Sequence, residues 1–127
     1  MILLETSALI EAWRKNGRPD AKARVESALR SGRAALCQPV VLELSAGMKK
    51  SEEFKLLHDY LDVLPLLPIT DAVWQLAASR ARLFRANGLT VSNFDTLIFA
   101  TAEHHNANIV TIDGHFAQMR EVLKSGI

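Results

Sequence analysis

The 127 residues carry 15 Lys+Arg against 14 Asp+Glu, and a net charge of +1 excludes a chain that holds nucleic acid by bulk charge alone. Hydrophobic residues at 49% and charged residues at 23% exclude a disordered or fibrous chain. Cys37 is the only cysteine, which excludes an intramolecular disulfide and a cysteine-rich zinc site. A chain of this length buries roughly two-thirds of its unfolded surface and needs neither device to fold. Met-Ile-Leu-Leu meets an acid at Glu5, too short and uncharged a start for a signal peptide, and no apolar run approaches the roughly 18 residues of a membrane span. A soluble, cytoplasmic single domain over residues 1–127 with no membrane contact is expected.

Met1 to Leu4 is an all-apolar run, the pattern of a strand buried on both faces. Short helices follow over 7–14 and 19–31, the second with Pro19 in its first turn. Residues 34–37 are a weaker strand. Pro39 opens a helix to Ala46 with Gly47 as its stop signal, and Ser51 opens another with Phe54, Leu57 and Leu61 on one face. Residues 64–69 are apolar but broken by two prolines, so at best an edge strand. Thr70 caps a long helix that ends at Asn87-Gly88. Ser92-Asn93-Phe94-Asp95 has the form of a capping box and opens a helix to about His105. Residues 109–112 are the clearest β-branched strand, ending on Asp113-Gly114. Strands alternating with helices predict an α/β domain with a mainly parallel sheet.

Four acids interrupt apolar segments. Glu5 ends the first strand, Glu43 sits among Val40, Val41, Leu42 and Leu44, Asp95 lies in the first turn of an apolar helix, and Asp113 ends the last strand. A lone buried carboxylate costs several kcal/mol, so each needs a partner. Lys and Arg cluster elsewhere, in Arg14-Lys15, Lys49-Lys50 and Arg80 to Arg85. One solution is a shared divalent cation at strand ends and helix starts, where parallel α/β sheets build their sites. Carboxylates without His or Cys select a hard ion, Mg²⁺ or Mn²⁺, able to activate water and clamp a phosphate. Each acid also has a plainer reading. Asp95 completes the capping box, Asp113-Gly114 is a turn, Glu5 caps the next helix (a task better suited to Thr6 and Ser7), and Glu43 is partly exposed.

Leu4-Glu5-Thr6-Ser7-Ala8, Leu42-Glu43-Leu44-Ser45-Ala46, Phe94-Asp95-Thr96-Leu97-Ile98 and Val110-Thr111-Ile112-Asp113-Gly114-His115-Phe116, in this order and spacing, resemble the PIN domain, and more narrowly the VapC toxins of toxin–antitoxin pairs. The resemblance implies a three-layer α/β/α sandwich around a parallel sheet. It also implies a Mg²⁺- or Mn²⁺-dependent endoribonuclease held inactive by a VapB-type antitoxin, which leaves 5′-phosphate and 3′-hydroxyl ends. Glu5, Glu43, Asp95 and Asp113 match the family's catalytic, metal-binding acids, with Ser7 and Thr111 in support. The departure is at Glu5, where the family has Asp. One extra methylene moves the carboxylate by about 1.5 Å, and misplacement near 1 Å can cost about a hundredfold in rate. A second reading follows, a weakened PIN domain acting mainly as an antitoxin-binding regulatory module. An unrelated phosphatase or receiver domain would want a further acid beside Glu5, where Thr6 and Ser7 stand.

Arg80, Arg82 and Arg85 are either a solvated helix face or a rim that holds RNA phosphates. His104 and His105 complement a helix C-terminus, and His115 is a surface residue or a substrate contact. Trp13 and Trp74 are expected as core or interface anchors, and Cys37 as a small buried hydrophobe. A homodimer through helix faces is expected, with DNA reached only through the antitoxin.

Overall fold

The computed structural model describes residues 1–125, so the expected domain limit at 127 lies outside the described residues. The elements run β1 (Ile2–Leu4), α1 (Thr6–Trp13), α2 (Pro19–Arg30), β2 (Ala34–Ala35), α3 (Gln38–Gly47), α4 (Ser51–Val63), α5 (Asp71–Ala86), α6 (Asn93–His104), β3 (Asn108–Val110) and α7 (Gly114–Ser125). The sheet is parallel in the order β2-β1-β3, with Leu3 opposite Ala35 on one side and Ile109 on the other.

Three strand expectations are corrected. The segment 64–69 contributes a single parallel bridge, Leu36 to Leu66, because Pro65 and Pro68 cannot donate to a ladder. The second strand stops at Ala35, and the last at Val110 rather than Ile112. Residues 111–113 therefore leave the sheet before α7 begins, and this departure frees their side chains to form a site. Helix α7 has no counterpart among the elements expected from the sequence. Asp113-Gly114 starts a helix instead of a turn, since Asp113 Oδ1 accepts the His115 N–H at 2.9 Å, and Phe116 and Met119 anchor it in the core.

Right-handed crossovers sort the helices into two layers. The chain moves outward from β1 to β2 to the Leu66 bridge through α1–α4, then returns to β3 through α5 and α6. The two sets therefore lie on opposite faces, a three-layer α/β/α arrangement. Within the layers α1 packs against α2 and α3, and α5, α6 and α7 against one another, while α3 also meets α6, joining the two sets. Helix α6 is buried continuously from Thr96 to Ala102, which explains its apolar character all round. The expected caps form: Thr70 Oγ1 accepts the Val73 N–H, and Ser92 Oγ accepts the Asp95 N–H at 3.0 Å. Helix α5 ends on Gly88 at φ +75°, a conformation that glycine adopts without strain. Among the described residues, no helix is long and apolar enough to cross a membrane.

Candidate metal centre

The parallel sheet brings the carboxyl ends of β1 and β3 side by side, and Glu5 and Thr111 each follow the last residue of their strand. Glu5 N–H donates to the Val110 carbonyl, so the pairing continues one step past β1. Glu5 is also the N-cap of α1. The expectation that Thr6 or Ser7 would serve better as cap is corrected, because both lie inside the helix.

The Glu5 side chain is 3% exposed and turns back on itself. Its Oε1 accepts the Ser7 N–H at 3.1 Å, the Ser7 hydroxyl, and the Thr111 hydroxyl at 2.6 Å, while Oε2 accepts none of these bonds. Each hydroxyl in turn accepts a backbone N–H from the loop after β3: Ile112 to Ser7 Oγ at 3.1 Å, and Asp113 to Thr111 Oγ1 at 3.0 Å. Ser7 and Thr111 thus tie the first acid to the loop that presents the last one. Burial raises the Glu5 carboxyl above its ordinary value. The three hydrogen bonds oppose this rise, and the charge of Asp113 adds to it.

Glu43 is half-buried on α3, on the turn beside Leu42, which is 57% exposed. Its Oε1 accepts the Thr6 hydroxyl at 2.6 Å. Thr6 is a supporting residue that sequence reasoning misses; its only signal is a hydroxyl next to a strand-end acid. Both Glu43 and Glu5 face the buried Cys37, whose thiol is raised to about 11, first by burial and then by these two charges. Cys37 is otherwise a small core residue, as expected.

Asp95 and Asp113 form the tightest group, and His115 completes it. One donor atom from each lies within 4.8 Å of the others. His115 Nδ1 stands 3.2 Å from Asp113 Oδ1 and 3.8 Å from Asp95 Oδ2. Asp95 is raised by burial and then by the charge of Asp113, against the Ser92 hydroxyl and His115. Its capping role and its place in the cluster coexist, since Ser92 takes the backbone N–H and leaves the carboxylate to face Asp113.

Among the described residues, none of the four acids pairs with a Lys or Arg. Asp95, Asp113 and His115 offer two carboxylates and an imidazole to one site, with Glu5 and Glu43 outside that group of three, and carboxylates with no Lys or Arg to balance them suit a hard divalent ion. The residues fit such an ion.

Of the three arginines on α5, Arg80 has an acidic partner. Its guanidinium pairs with both oxygens of Glu103 and ties α5 to α6. Arg82 and Arg85 are exposed and make no contact with the acids; Arg85 lines a separate groove with Asn93 and Thr96. Trp74 is 56% exposed and belongs to no core, whereas Trp13 packs edge-on against Tyr60. His105 bonds the Pro68 carbonyl, away from the acids.

The PIN domain family profile matches residues 2–122. VapC ribonuclease Mb1587 of Mycobacterium bovis and ribonuclease VapC11 of Mycobacterium tuberculosis are each 34% identical over 119 residues, covering 91% of this chain and 89% of theirs. Among solved structures, FitAcB from Neisseria gonorrhoeae superposes with TM-score 0.73 at 22% identity, covering 95% of this chain and 94% of its own. VapBC2 from Rickettsia felis, bound to a promoter DNA fragment, superposes with TM-score 0.74 at 24% identity, covering 90% and 89%. At these identities the two structures establish the fold. With the family profile spanning nearly the whole chain, the chain belongs to the PIN-domain family and is a homologue of VapC ribonucleases.

Proposed function

We propose that this chain is a cytoplasmic, metal-dependent endoribonuclease, the toxin of a toxin–antitoxin pair. The observation that carries the reading is Asp95 and Asp113 within reach of one ion, with Glu5 buried at the neighbouring strand end and none of the four acids paired with a Lys or Arg among the described residues. Glu5, Glu43, Asp95 and Asp113 would hold Mg²⁺ or Mn²⁺, with His115 beside them. When bound, such an ion lowers the pKa of a water and offsets the charge that develops on a phosphate. The chain's own contribution is placement. Ser7 and Thr111 fix the rotamer of Glu5, Thr6 fixes Glu43, and the Ser92 cap sets the first turn that presents Asp95. Support for the substrate comes from the names of the mycobacterial relatives.

The structural relatives are complexes, FitAcB and VapBC2, and an antitoxin is proposed here on the same grounds. Ile10, Leu42 and Phe54, on α1, α3 and α4, are between 38% and 57% exposed and suit an amphipathic partner segment. DNA would be met only through that partner, and Trp74 on α5 is a candidate anchor for a homodimer.

The test is cleavage of structured RNAs, transfer RNAs first, with Mg²⁺ or Mn²⁺ and with chelator. Chelator-sensitive cleavage, lost in Asp95→Asn with Asp113→Asn while the fold persists, supports the reading. Cleavage that survives the double substitution overturns it. The second reading, a regulatory module weakened at Glu5, is favoured by one observation: one oxygen of the Glu5 carboxylate, Oε1, is taken up by three hydrogen bonds. In that case the wild-type chain cleaves poorly while still binding its antitoxin.

A further inference from the structure

A groove of about 370 Å³ opens beside the acidic centre. Thr111 and Asp113 form one wall, and Arg18, Arg24 and Arg120, from α2, the turn before it and α7, stand around the other. The sequence alone assigns these arginines no role, because they lie up to a hundred residues apart. They differ in how far they are neutralised. Arg18 is forked onto Asp20 at 3.1 and 2.7 Å, and its charge is locally balanced. Arg24 has no acidic partner among the described residues; its Nη1 donates to the Thr111 carbonyl at 2.9 Å. Arg120 makes no ion pair among the described residues. Two uncompensated guanidinium groups therefore face a groove that ends at Asp113, in a chain whose net charge is only +1.

We infer that this groove holds the RNA backbone on one side of the scissile phosphate, with Arg24 and Arg120 gripping phosphate oxygens. The inference rests on the ribonuclease reading above and supplies its substrate track. A centre made of four carboxylates repels a polyanion, so the strand that enters it needs cations close by. The guanidinium fork matches phosphate oxygens in a way that a lone ammonium does not. Such contacts carry no base information; they set where the strand lies and strengthen binding in a salt-dependent way. The hydrogen bond from Arg24 to Thr111 gives that side chain a second task. It anchors the same residue whose hydroxyl orients Glu5, so strand binding and acid placement share one backbone unit.

The test separates binding from chemistry. A fluorescein-labelled single-stranded oligouridylate is titrated by anisotropy in EDTA, across a range of salt, with the full chain as wild type, Arg24→Ala, Arg120→Ala and Arg30→Ala. Arg30 is the control, on the same helix as Arg24 but paired with Glu26. The expected result for Arg24→Ala and for Arg120→Ala is affinity weaker by about threefold to fivefold. The slope of log affinity against log salt falls by about 0.7 for each guanidinium removed. Arg30→Ala stays at wild-type values. In the parallel cleavage assay Arg120→Ala raises KM and leaves kcat near wild type. If wild type binds or cleaves RNA and the two variants match it in affinity and slope, the groove assignment is wrong while the ribonuclease reading stands. The same holds if Arg82→Ala or Arg85→Ala weakens binding instead. If wild type neither binds nor cleaves RNA, the ribonuclease reading fails and takes this inference with it.

Discussion

Replacing Thr111 by valine removes one hydroxyl and keeps the side-chain shape, so no cavity opens. Three contacts go with it: the donation to Glu5 Oε1 at 2.6 Å, the acceptance of the Asp113 N–H at 3.0 Å and the weaker approach to Ser7 Oγ at 3.2 Å. A bond to a charged group contributes about 1.5–3 kcal/mol, and Thr111 is only half-buried, so water recovers part of the loss. We expect a net destabilisation of about 2 kcal/mol. For a chain of this size that lowers the melting temperature by about 8 °C. The loss should depend on pH. The Glu5 carboxyl is raised in the folded protein, chiefly by burial, so the native state binds that proton more tightly than the unfolded chain does. Its contribution to stability is therefore greatest below the ordinary glutamate range and declines as pH rises through the folded value. The Thr111 hydroxyl restrains that rise, and removing it pushes the carboxyl higher still. The gap between wild type and variant should widen from acid to neutral pH. The assay is thermal unfolding in EDTA across that range, with Thr111→Ser as the variant that keeps the hydroxyl. An equal loss in acid and at neutral pH, or no recovery with serine, would refute the assigned bonds.

Glu5→Asp shortens the side chain by about 1.5 Å and keeps a good N-cap, so the helix start survives. If the longer side chain is what weakens the centre, chelator-sensitive cleavage rises by about tenfold or more; a fall shows that the chain has adapted to glutamate. His115→Ala removes the one nitrogen donor near Asp95 and Asp113. Mn²⁺ affinity, followed by the metal-induced rise in melting temperature, should drop by more than Mg²⁺ affinity does, because imidazole suits the transition metal better. An equal drop for both ions places His115 outside the coordination shell. Arg80→Ala should cost about 1 kcal/mol of stability by freeing Glu103, with RNA affinity unchanged. A loss of RNA affinity would restore the α5 rim.

Much of the layout is written in local pattern. The run Ile2-Leu3-Leu4, the caps at Thr70 and Ser92 and the continuous apolar stretch of α6 are short-range signals, and the structure follows them. The four acids stand out because each breaks an apolar run. What stays hidden depends on partners distant in the chain. Thr6 bonds Glu43 across 37 residues and Ser7 meets Thr111 across 104, and no local spacing announces such pairs. Arg80 to Arg85 look like a basic patch because they are adjacent, yet Arg80 is taken by Glu103, 23 residues on. The α7 helix is a different failure. Phe116, Met119 and Leu123 carry a helical period, but Asp113-Gly114 reads as a turn when its carboxylate is not seen capping the His115 N–H.

The direction of the protons around Glu5 restricts what the centre can do. A backbone N–H can only donate, so the Ile112 and Asp113 amides oblige Ser7 Oγ and Thr111 Oγ1 to act as acceptors toward the loop. Each hydroxyl has a single hydrogen left, and both are aimed at the same carboxylate oxygen. With both hydrogens held on Glu5 Oε1, neither hydroxyl has one left to give to a departing alkoxide. The same two oxygens clasp the loop after β3 to the first acid, so Glu5 and the segment that carries Asp113 shift together or not at all.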